Sequence, residues 1–225
     1  MLEVRDLTAR YGAVQAARGI DVTLERGEVA VLVGANGAGK TTLLRSIMGQ
    51  HADCDGTVSI DGRVVGPRGA VAAARAGIAI VPQGRRLFTS LTVAEHLDLS
   101  ASRACASAMT PAEVEEFFPS LGRRGSVRAV SLSGGEQQML AIARAILLGP
   151  SFVLMDEPTE GLAPSIVENV VSLIAHLPTL GMGVLVAEQH DGVLTATAER
   201  TIRIERGSIL HPAVEPGGQL IKEQT

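Results

Sequence analysis

Cysteines, aromatic residues and long apolar runs are all scarce in this sequence. Its two cysteines, Cys54 and Cys105, match no metal-binding or redox spacing, so we expect reduced thiols in a cytosolic protein. No apolar run approaches the roughly 18 residues of a membrane-spanning helix, and the charged start, Met1 to Asp6, gives no sign of a secretory signal. Only five residues are aromatic, so an exposed aromatic side chain would be conspicuous.

An excess of positive charge is also missing. The formal net charge is −4, with 24 acidic and 20 basic residues, which argues against a surface that coats nucleic acid. The hydrophobic fraction of 46% and the charged fraction of 20% are typical of a globular chain. A length of 225 residues suits one large domain, or one domain with a small subdomain.

A glycine-rich stretch carries the strongest signal and matches the pattern G-x-x-x-x-G-K-[ST]. The apolar run Val29–Val33 precedes it, and apolar residues at helical spacing follow from Thr42 to Met48, which disfavours a chance glycine-rich turn. Glycines let successive N–H groups surround phosphate oxygens, and the N-terminus of the following helix favours the same anion. The predicted nucleotide-binding residues are Gly34, Ala35, Asn36, Gly37, Ala38, Gly39, Lys40, Thr41 and Thr42.

Charged and hydroxyl side chains predict the chemistry of this site. Lys40 supplies a point charge for the β- and γ-phosphates, and the Thr41 hydroxyl is a suitable Mg²⁺ ligand. Asp156 and Glu157 directly follow the apolar strand Phe152–Met155. In isolation this pair would merely begin a turn, but beside a phosphate loop Asp156 can hold the Mg²⁺ shell and Glu157 can polarise an attacking water.

Polar residues also follow two other predicted buried strands. Gln83 comes just after the strand Ile78–Val81, where functional loops of open α/β sheets collect. Gln189 and His190 come just after the strand Gly183–Ala187, and both side chains are able to hydrogen-bond a γ-phosphate. We therefore expect these three side chains near the nucleotide.

Between Leu91 and about Ser131 the pattern changes from strands to helices. Thr92 and Thr110 each precede a glutamate by three residues, which is the spacing of a capping box. Ser133 and Glu136 repeat this spacing before another helical run. That segment is either a simple capped helix or, through its Ser-Gly-Gly start, a second phosphate-binding surface.

Short turns organise the first part of the chain. Asp55-Gly56 and Asp61-Gly62 predict tight turns on either side of the strand Thr57–Ile60. Tyr11 lies at a predicted turn between two short strands, where it either stacks on a flat base or belongs to the core. The polar tail after Pro212 is expected to fray.

Together these segments resemble the nucleotide-binding ATPase subunit of ATP-binding-cassette (ABC) transporters along essentially the whole chain. The resemblance rests, in order, on Gly34–Thr42, Gln83, Leu132–Gln138 and Phe152–Pro158. Three segments look most like the subfamily of branched-chain amino-acid, urea and amide importers: Val81–Phe88, Ser133–Arg144 and Gly161–Pro164.

The resemblance implies an α/β fold with a P-loop NTPase core, an antiparallel β subdomain and an inserted helical subdomain. The single domain would span residues 1–225, with the core and β subdomain in about 1–90 and 132–225 and the helical subdomain in about 91–131. It implies ATP and Mg²⁺ as cofactors and a peripheral position at the cytoplasmic face of the membrane. Implied partners are permease subunits, a second cassette ATPase (a copy or a paralogue) and an extracytoplasmic solute-binding protein, with no nucleic acid.

The resemblance also implies a role for each site residue in a head-to-tail dimer with ATP between the protomers. Glu157 would be the general base, Gln189 or His190 would sense the γ-phosphate, and Tyr11 would stack on adenine. The metal surroundings would be Thr41, Gln83 and Asp156. The surface offered to the partner's nucleotide would be Ser133, Gly134, Gly135 and Gln137.

Three positions depart from the family pattern. Many close relatives have Glu where Gln83 stands, most cassettes have Asp at the Ala163 position, and the γ-phosphate-sensing His of most cassettes aligns with Gln189, one place before His190.

An export cassette stays open as an alternative. A nucleic-acid-associated cassette is disfavoured because Gln83 to Ser133 spans only 50 residues without sustained heptads, and a P-loop kinase is disfavoured by the Ser-Gly-Gly and Asp-Glu segments.

Overall fold

Periodic apolar residues build two β-sheets and the helices that cover them. The computed structural model describes residues 1–67, 69–103, 109–190 and 192–214. The strands are β1 (Leu2–Tyr11), β2 (Val14–Leu24), β3 (Val29–Val33), β4 (Cys54–Ile60), β5 (Arg63–Gly66), β6 (Ile78–Val81), β7 (Phe152–Asp156), β8 (Gly183–Glu188), β9 (Arg200–Glu205) and β10 (Ser208–Val214). The helices are α1 (Lys40–Ile47), α2 (Ala70–Arg75), α3 (Val93–Ala101), α4 (Pro111–Phe117), α5 (Pro119–Gly122), α6 (Gly134–Ile146), α7 (Pro164–His176) and α8 (Val193–Thr197).

The larger sheet holds the short, continuously apolar strands. Its order is β10-β9-β3-β8-β7-β6, and all neighbours are parallel except β10 and β9. Every residue of β3 and β7 is buried, as expected for parallel strands with both faces covered. The smaller sheet is antiparallel, with the order β2-β1-β4-β5. The α/β class expected from the sequence is therefore confirmed.

The larger sheet separates two apolar cores. Val153 and Met155 of β7 belong to a cluster that includes buried residues of α3, α6 and α7. Phe152 and Leu154 point to the other face and join residues of β1, β2 and α1. This alternation follows from the two-residue period of a strand. Among the described residues, no helix has the length and apolar character to cross a membrane.

All three predicted capping boxes are present. The hydroxyls of Thr92, Thr110 and Ser133 each accept a hydrogen bond from the backbone N–H of the glutamate three residues later. Each glutamate side chain in turn accepts the N–H of the capping residue. The starts of α3, α4 and α6 therefore follow from local sequence alone.

One local expectation is wrong, and one open alternative is decided. The helix expected behind the glycine-rich loop is present as α1, which begins at Lys40 with Gly39, at φ 108°, as its N-cap. Asp55-Gly56 lies inside β4 and not in a turn, at a bulge where Gly56 has φ 103°. Tyr11 ends β1 with 53% of its surface exposed, so it is no core residue.

The cysteines and the tail are only partly within the described residues. Cys54 is a buried free thiol, whereas Cys105 and the residues after Val214 lie outside them.

Candidate functional site

The carboxyl ends of four neighbouring strands converge at one edge of the larger sheet. The glycine-rich loop follows β3, residue 189 follows β8, residue 157 follows β7 and residue 83 lies just after β6. Residues more than 100 positions apart in sequence therefore meet at the edge where open α/β sheets bind ligands.

The glycine-rich loop depends on glycine at two close approaches. A Cβ on Gly34 would lie 2.4 Å from the carbonyl oxygen of Ile204, and one on Gly39 would lie 2.3 Å from that of Ala16. At Gly37, where φ is 78°, a Cβ would meet no atom within 4 Å. The loop is thus packed at its two ends and open at its centre, ahead of the N-terminus of α1.

The Lys40 side chain is 4% exposed and held by oxygen atoms. Its ammonium donates to the carbonyl oxygens of Gly34 at 2.7 Å and Ala35 at 3.3 Å. The same nitrogen lies 3.2 Å from Oε1 of Glu157. The cation therefore stands at the mouth of the loop, with Glu157 as its ion-pair partner among the described residues.

The Thr41 hydroxyl donates to Oδ1 of Asp156 at 3.1 Å. Asp156 is 2% exposed, and burial raises the pKa of its carboxyl despite this hydrogen bond. The pair joins the first turn of α1 to the end of β7, and both side chains are oxygen donors of the kind that Mg²⁺ prefers.

Glu157 is held in an unusual backbone conformation, with φ 51°. Such a conformation is costly for a non-glycine residue and clusters at functional sites. Burial raises the pKa of its carboxyl, opposed mainly by Lys40. Gln83 Nε2 donates to Oε2 of Glu157 at 3.1 Å and to Oε2 of Glu160 at 3.3 Å.

These side chains surround an open cavity of about 410 Å³. Its walls carry one cation and two carboxylates beside the glycine-rich loop. The lining residues are Ala16, Asn36, Gly37, Gly39, Lys40, Thr41, Thr42, Gln83, Glu157 and Glu160.

Sequence reasoning assigned no role to Glu160 or Glu188. Glu188 ends β8, accepts a hydrogen bond from the Thr159 hydroxyl at 2.8 Å, and has a pKa raised by burial. The place of Glu188 at a strand end could have predicted it as a site residue, whereas the contact of Glu160 with Gln83 depends on tertiary structure.

Gln189, just after β8, is half-buried, and His190 beyond it is exposed.

Tyr11 lies outside the residues that line this cavity. Its exposed ring meets the ring of His51 edge-on, with 4.6 Å between centroids. The exposed aromatic face is therefore supported by a second ring and available to a flat ligand.

The start of α6 forms a separate exposed surface. Ser133 and Gly134 are exposed and Gly135 is half-buried, and none of them lines the phosphate cavity of its own chain. The amide of Gln137 is engaged internally: Oε1 accepts from Arg85 at 3.2 Å, and Nε2 donates to the carbonyl oxygens of Ala129 and Leu132 at 3.2 and 3.3 Å.

Residues 17–160 match the family model described as ABC transporter. The high-affinity branched-chain amino acid transport ATP-binding protein BraG of Pseudomonas aeruginosa is 37% identical over 212 residues, 93% of this chain and 91% of that protein. The glutamate/aspartate import ATP-binding protein GltL of Escherichia coli is 32% identical over 216 residues, 93% and 89% of the two chains. The dimeric post-hydrolysis structure of the ATP-binding cassette MJ0796 bound to ADP and Pi has a TM-score of 0.83 at 25% identity, covering 97% of this chain and all of that one.

Proposed function

The chain belongs to the ABC transporter family, and from that premise we propose that it energises the import of amino acids or related small solutes such as urea and amides. It is an ATP-binding and ATP-hydrolysing subunit, with permease subunits and a second ATPase as partners at the cytoplasmic face of the membrane. The solute class rests on the similarity to BraG and GltL, whose names specify amino acids.

The observation that supports hydrolysis best is the convergence of one cation, one hydroxyl and two carboxylates, three of which line the same cavity while the fourth is buried beside them. Lys40, Thr41, Asp156 and Glu157 are joined pairwise at 3.1–3.2 Å, at the carboxyl edge of the sheet. A site that only bound nucleotide would have no need for a buried carboxylate beside its phosphate lysine.

Glu157 is the proposed general base. A water placed between its carboxylate and the γ-phosphorus would give up a proton to Glu157 as its oxygen attacks, and the bond to the β-phosphate oxygen would break to leave ADP and phosphate. Lys40 would stabilise the negative charge on the transferring group. A bound γ-phosphate competes for the Lys40 ammonium, and so releases the Glu157 carboxylate to face the water.

The oxygen donors present fit Mg²⁺. Thr41 and Gln83 line the cavity, and Thr41 is hydrogen-bonded to the buried Asp156. Three such side chains would leave further coordination positions to water and phosphate oxygens. When bound, Mg²⁺ would neutralise phosphate charge. Gln189, with His190 as the alternative, is the proposed contact to the γ-phosphate.

The exposed start of α6 is the proposed surface for the partner's nucleotide. Ser133, Gly134 and Gly135 stand at a helix N-terminus, where the N–H groups of the first turn and the helix dipole attract phosphate. One ATP would thus contact the phosphate loop of one protomer and this surface of the other, with Tyr11 against adenine.

Helices between residues 91 and 131 are the proposed contact to the permease, and a solute-binding protein is the proposed extracytoplasmic partner.

Co-purification of the tagged chain from its native membranes tests this assignment. Mass spectrometry is expected to find a multi-spanning permease and a cassette ATPase, and the recovered assembly to release phosphate from ATP only with Mg²⁺. Uptake assays with labelled amino acids, urea and amides in proteoliposomes would then identify the solute. Recovery of the chain alone after gentle extraction, or with nucleic-acid proteins, would contradict the transport assignment.

A further inference from the structure

The loop after Gln83 has a backbone that non-glycine residues rarely adopt. Gly84, Arg85 and Arg86 have φ values of 84°, 62° and 45° in succession. Two consecutive arginines in the left-handed region are costly and persist only when surrounding contacts hold them. The contacts that stabilise this conformation therefore indicate the role of the loop.

Besides backbone hydrogen bonds within the loop itself, two contacts join it to α6. Nη1 of Arg85 donates to Oε1 of Gln137 at 3.2 Å in the first turn of the helix. Nη1 of Arg144 donates to the carbonyl oxygen of Arg86 at 3.2 Å in the last turn, and its guanidinium lies 5.0 Å from the centroid of the Phe88 ring. The loop is thus fastened to both ends of the helix that presents Ser133 to Gly135.

The Arg85 guanidinium lies so close to the helix start that a side chain at Gly134 would require it to shift. A Cβ on Gly134 would lie 3.1 Å from Nη2 and 3.3 Å from Nη1 of Arg85. Among ion pairs between described residues, none includes Arg85, although its side chain is half-buried. A guanidinium at a helix N-terminus is unfavourable on its own, because both are positive, and it adds to the attraction of that surface for anions.

We propose that Arg85 is a positioning residue for the second nucleotide-binding surface: through Gln137 it holds the start of α6 in the orientation presented to the partner's ATP. The same loop carries Gln83, whose amide donates to Glu157 and Glu160 in the protomer's own cavity. The loop that carries Arg85 therefore connects the protomer's own nucleotide cavity with the start of α6, the surface proposed to contact the partner's ATP. This inference rests on the proposed function.

Hydrogen–deuterium exchange and turnover together test the proposal. Arg85→Ala keeps the backbone cost at this position and removes the guanidinium. Loss of one hydrogen bond is expected to speed exchange at residues 134–138 of the full chain by about tenfold. Turnover of the co-purified assembly at saturating ATP is expected to fall by a similar factor, while the affinity of the full chain alone for ATP changes less than twofold.

Three comparisons complete the experiment. Arg85→Lys, which retains a donor, should recover part of the turnover, and Arg123→Ala, which removes an exposed arginine elsewhere, should change neither quantity. Gln137→Ala combined with Arg85→Ala should be no worse than Gln137→Ala alone, because both act through one contact.

Two outcomes would overturn the proposal. Unchanged exchange and turnover in Arg85→Ala would show that the contact positions nothing. Equal losses of turnover and ATP affinity would assign Arg85 to its own nucleotide or to folding. A wild-type assembly without ATP turnover would instead refute the proposed function, and the exchange measurement would still decide whether Arg85 orders the start of α6.

Discussion

Lys40 and Glu157 face each other at the mouth of the glycine-rich loop, with Nζ 3.2 Å from Oε1 and the two side chains only 4% and 9% exposed. The cation proposed to bind phosphate is thus held by the carboxylate proposed to activate water. A γ-phosphate would compete with Glu157 for the same ammonium, so that substrate binding and release of the base become one event.

Glu157→Gln is expected to lower turnover at least about 100-fold, the lower range for loss of a general base. ATP affinity should be kept or improved, because the neutral amide competes less well for Lys40. Phosphate release and binding of a fluorescent ATP analogue measure the two effects. Glu160→Gln, which changes the neighbouring carboxylate, is the control, and hydrolysis retained in Glu157→Gln would exclude Glu157 as the base.

Gly39→Ala is expected to destroy nucleotide binding, since the new Cβ would lie 2.3 Å from the carbonyl oxygen of Ala16 at a φ of 108°. Gly37→Ala is the matched control: it has a positive φ but free space, so its cost should be limited to about 1 kcal/mol of backbone strain. Urea unfolding and ATP titration distinguish the two. Similar behaviour of both variants would mean that the close approach at Gly39 is unimportant.

Tyr11→Ala is expected to weaken ATP binding by about tenfold if its ring stacks on adenine, since aromatic stacking on a base contributes about 1–3 kcal/mol. Tyr11→Phe keeps the ring, so its affinity should stay within about twofold of wild type. Calorimetric titration with ATP and with inorganic triphosphate, which has no base, makes the comparison. An equal loss for both ligands would point to packing against His51 and not to the base.

His96 should make stability depend on pH. The ring is fully buried, and its Nε2 lies 3.0 Å from the carbonyl oxygen of Phe88, which only accepts, so Nε2 carries the proton. Nδ1 has no hydrogen-bond partner in the described part of the chain. Protonation at Nδ1 would thus create a positive charge with no acceptor. Burial lowers the pKa of His96 below its ordinary 6.5; the hydrogen bond to the Phe88 carbonyl opposes this shift, Arg144 adds to it and Glu95 opposes it.

The stabilising effect of neutral His96 is therefore complete above pH 6.5 and lost as the pH falls towards its lowered pKa. The slope is at most about 1.4 kcal/mol per pH unit for one proton. Denaturant unfolding between pH 5 and 8 should show this slope in the wild type and a shallower one in His96→Gln. Identical pH profiles would remove His96 as the cause.

Local patterns predicted the elements whose causes are local. The capping boxes at Thr92, Thr110 and Ser133 placed three helix starts correctly, and the apolar runs before Gly34 and Asp156 identified two central strands. The glycine-rich motif also predicted a cation and a hydroxyl at the carboxyl edge of the larger sheet, since the spacing of Lys40 and Thr41 follows from the loop itself.

Features that depend on other parts of the chain were not predictable in this way. The Asp-Gly pair at Gly56 predicted a turn, but the structure places it at a bulge inside β4. The bulge arises because β4 pairs with β1, which lies more than 40 residues earlier in the chain. The left-handed φ of Glu157 and of Arg85 follows from contacts that only the folded chain provides. The hydrogen bond from Gln83 to Glu160 likewise joins segments that the sequence separates by 77 positions.

The two-sided packing of the larger sheet has a mechanical consequence. Buried side chains of α3, α4 and α5 share one apolar cluster with α6 and α7, while the glycine-rich loop leads into α1 on the opposite face. Close-packed side chains transmit displacement with little compression. A force applied to α3, α4 or α5 by another protein would therefore be transmitted through this shared cluster to α6 and to the strands beneath it, and not absorbed by the helices themselves.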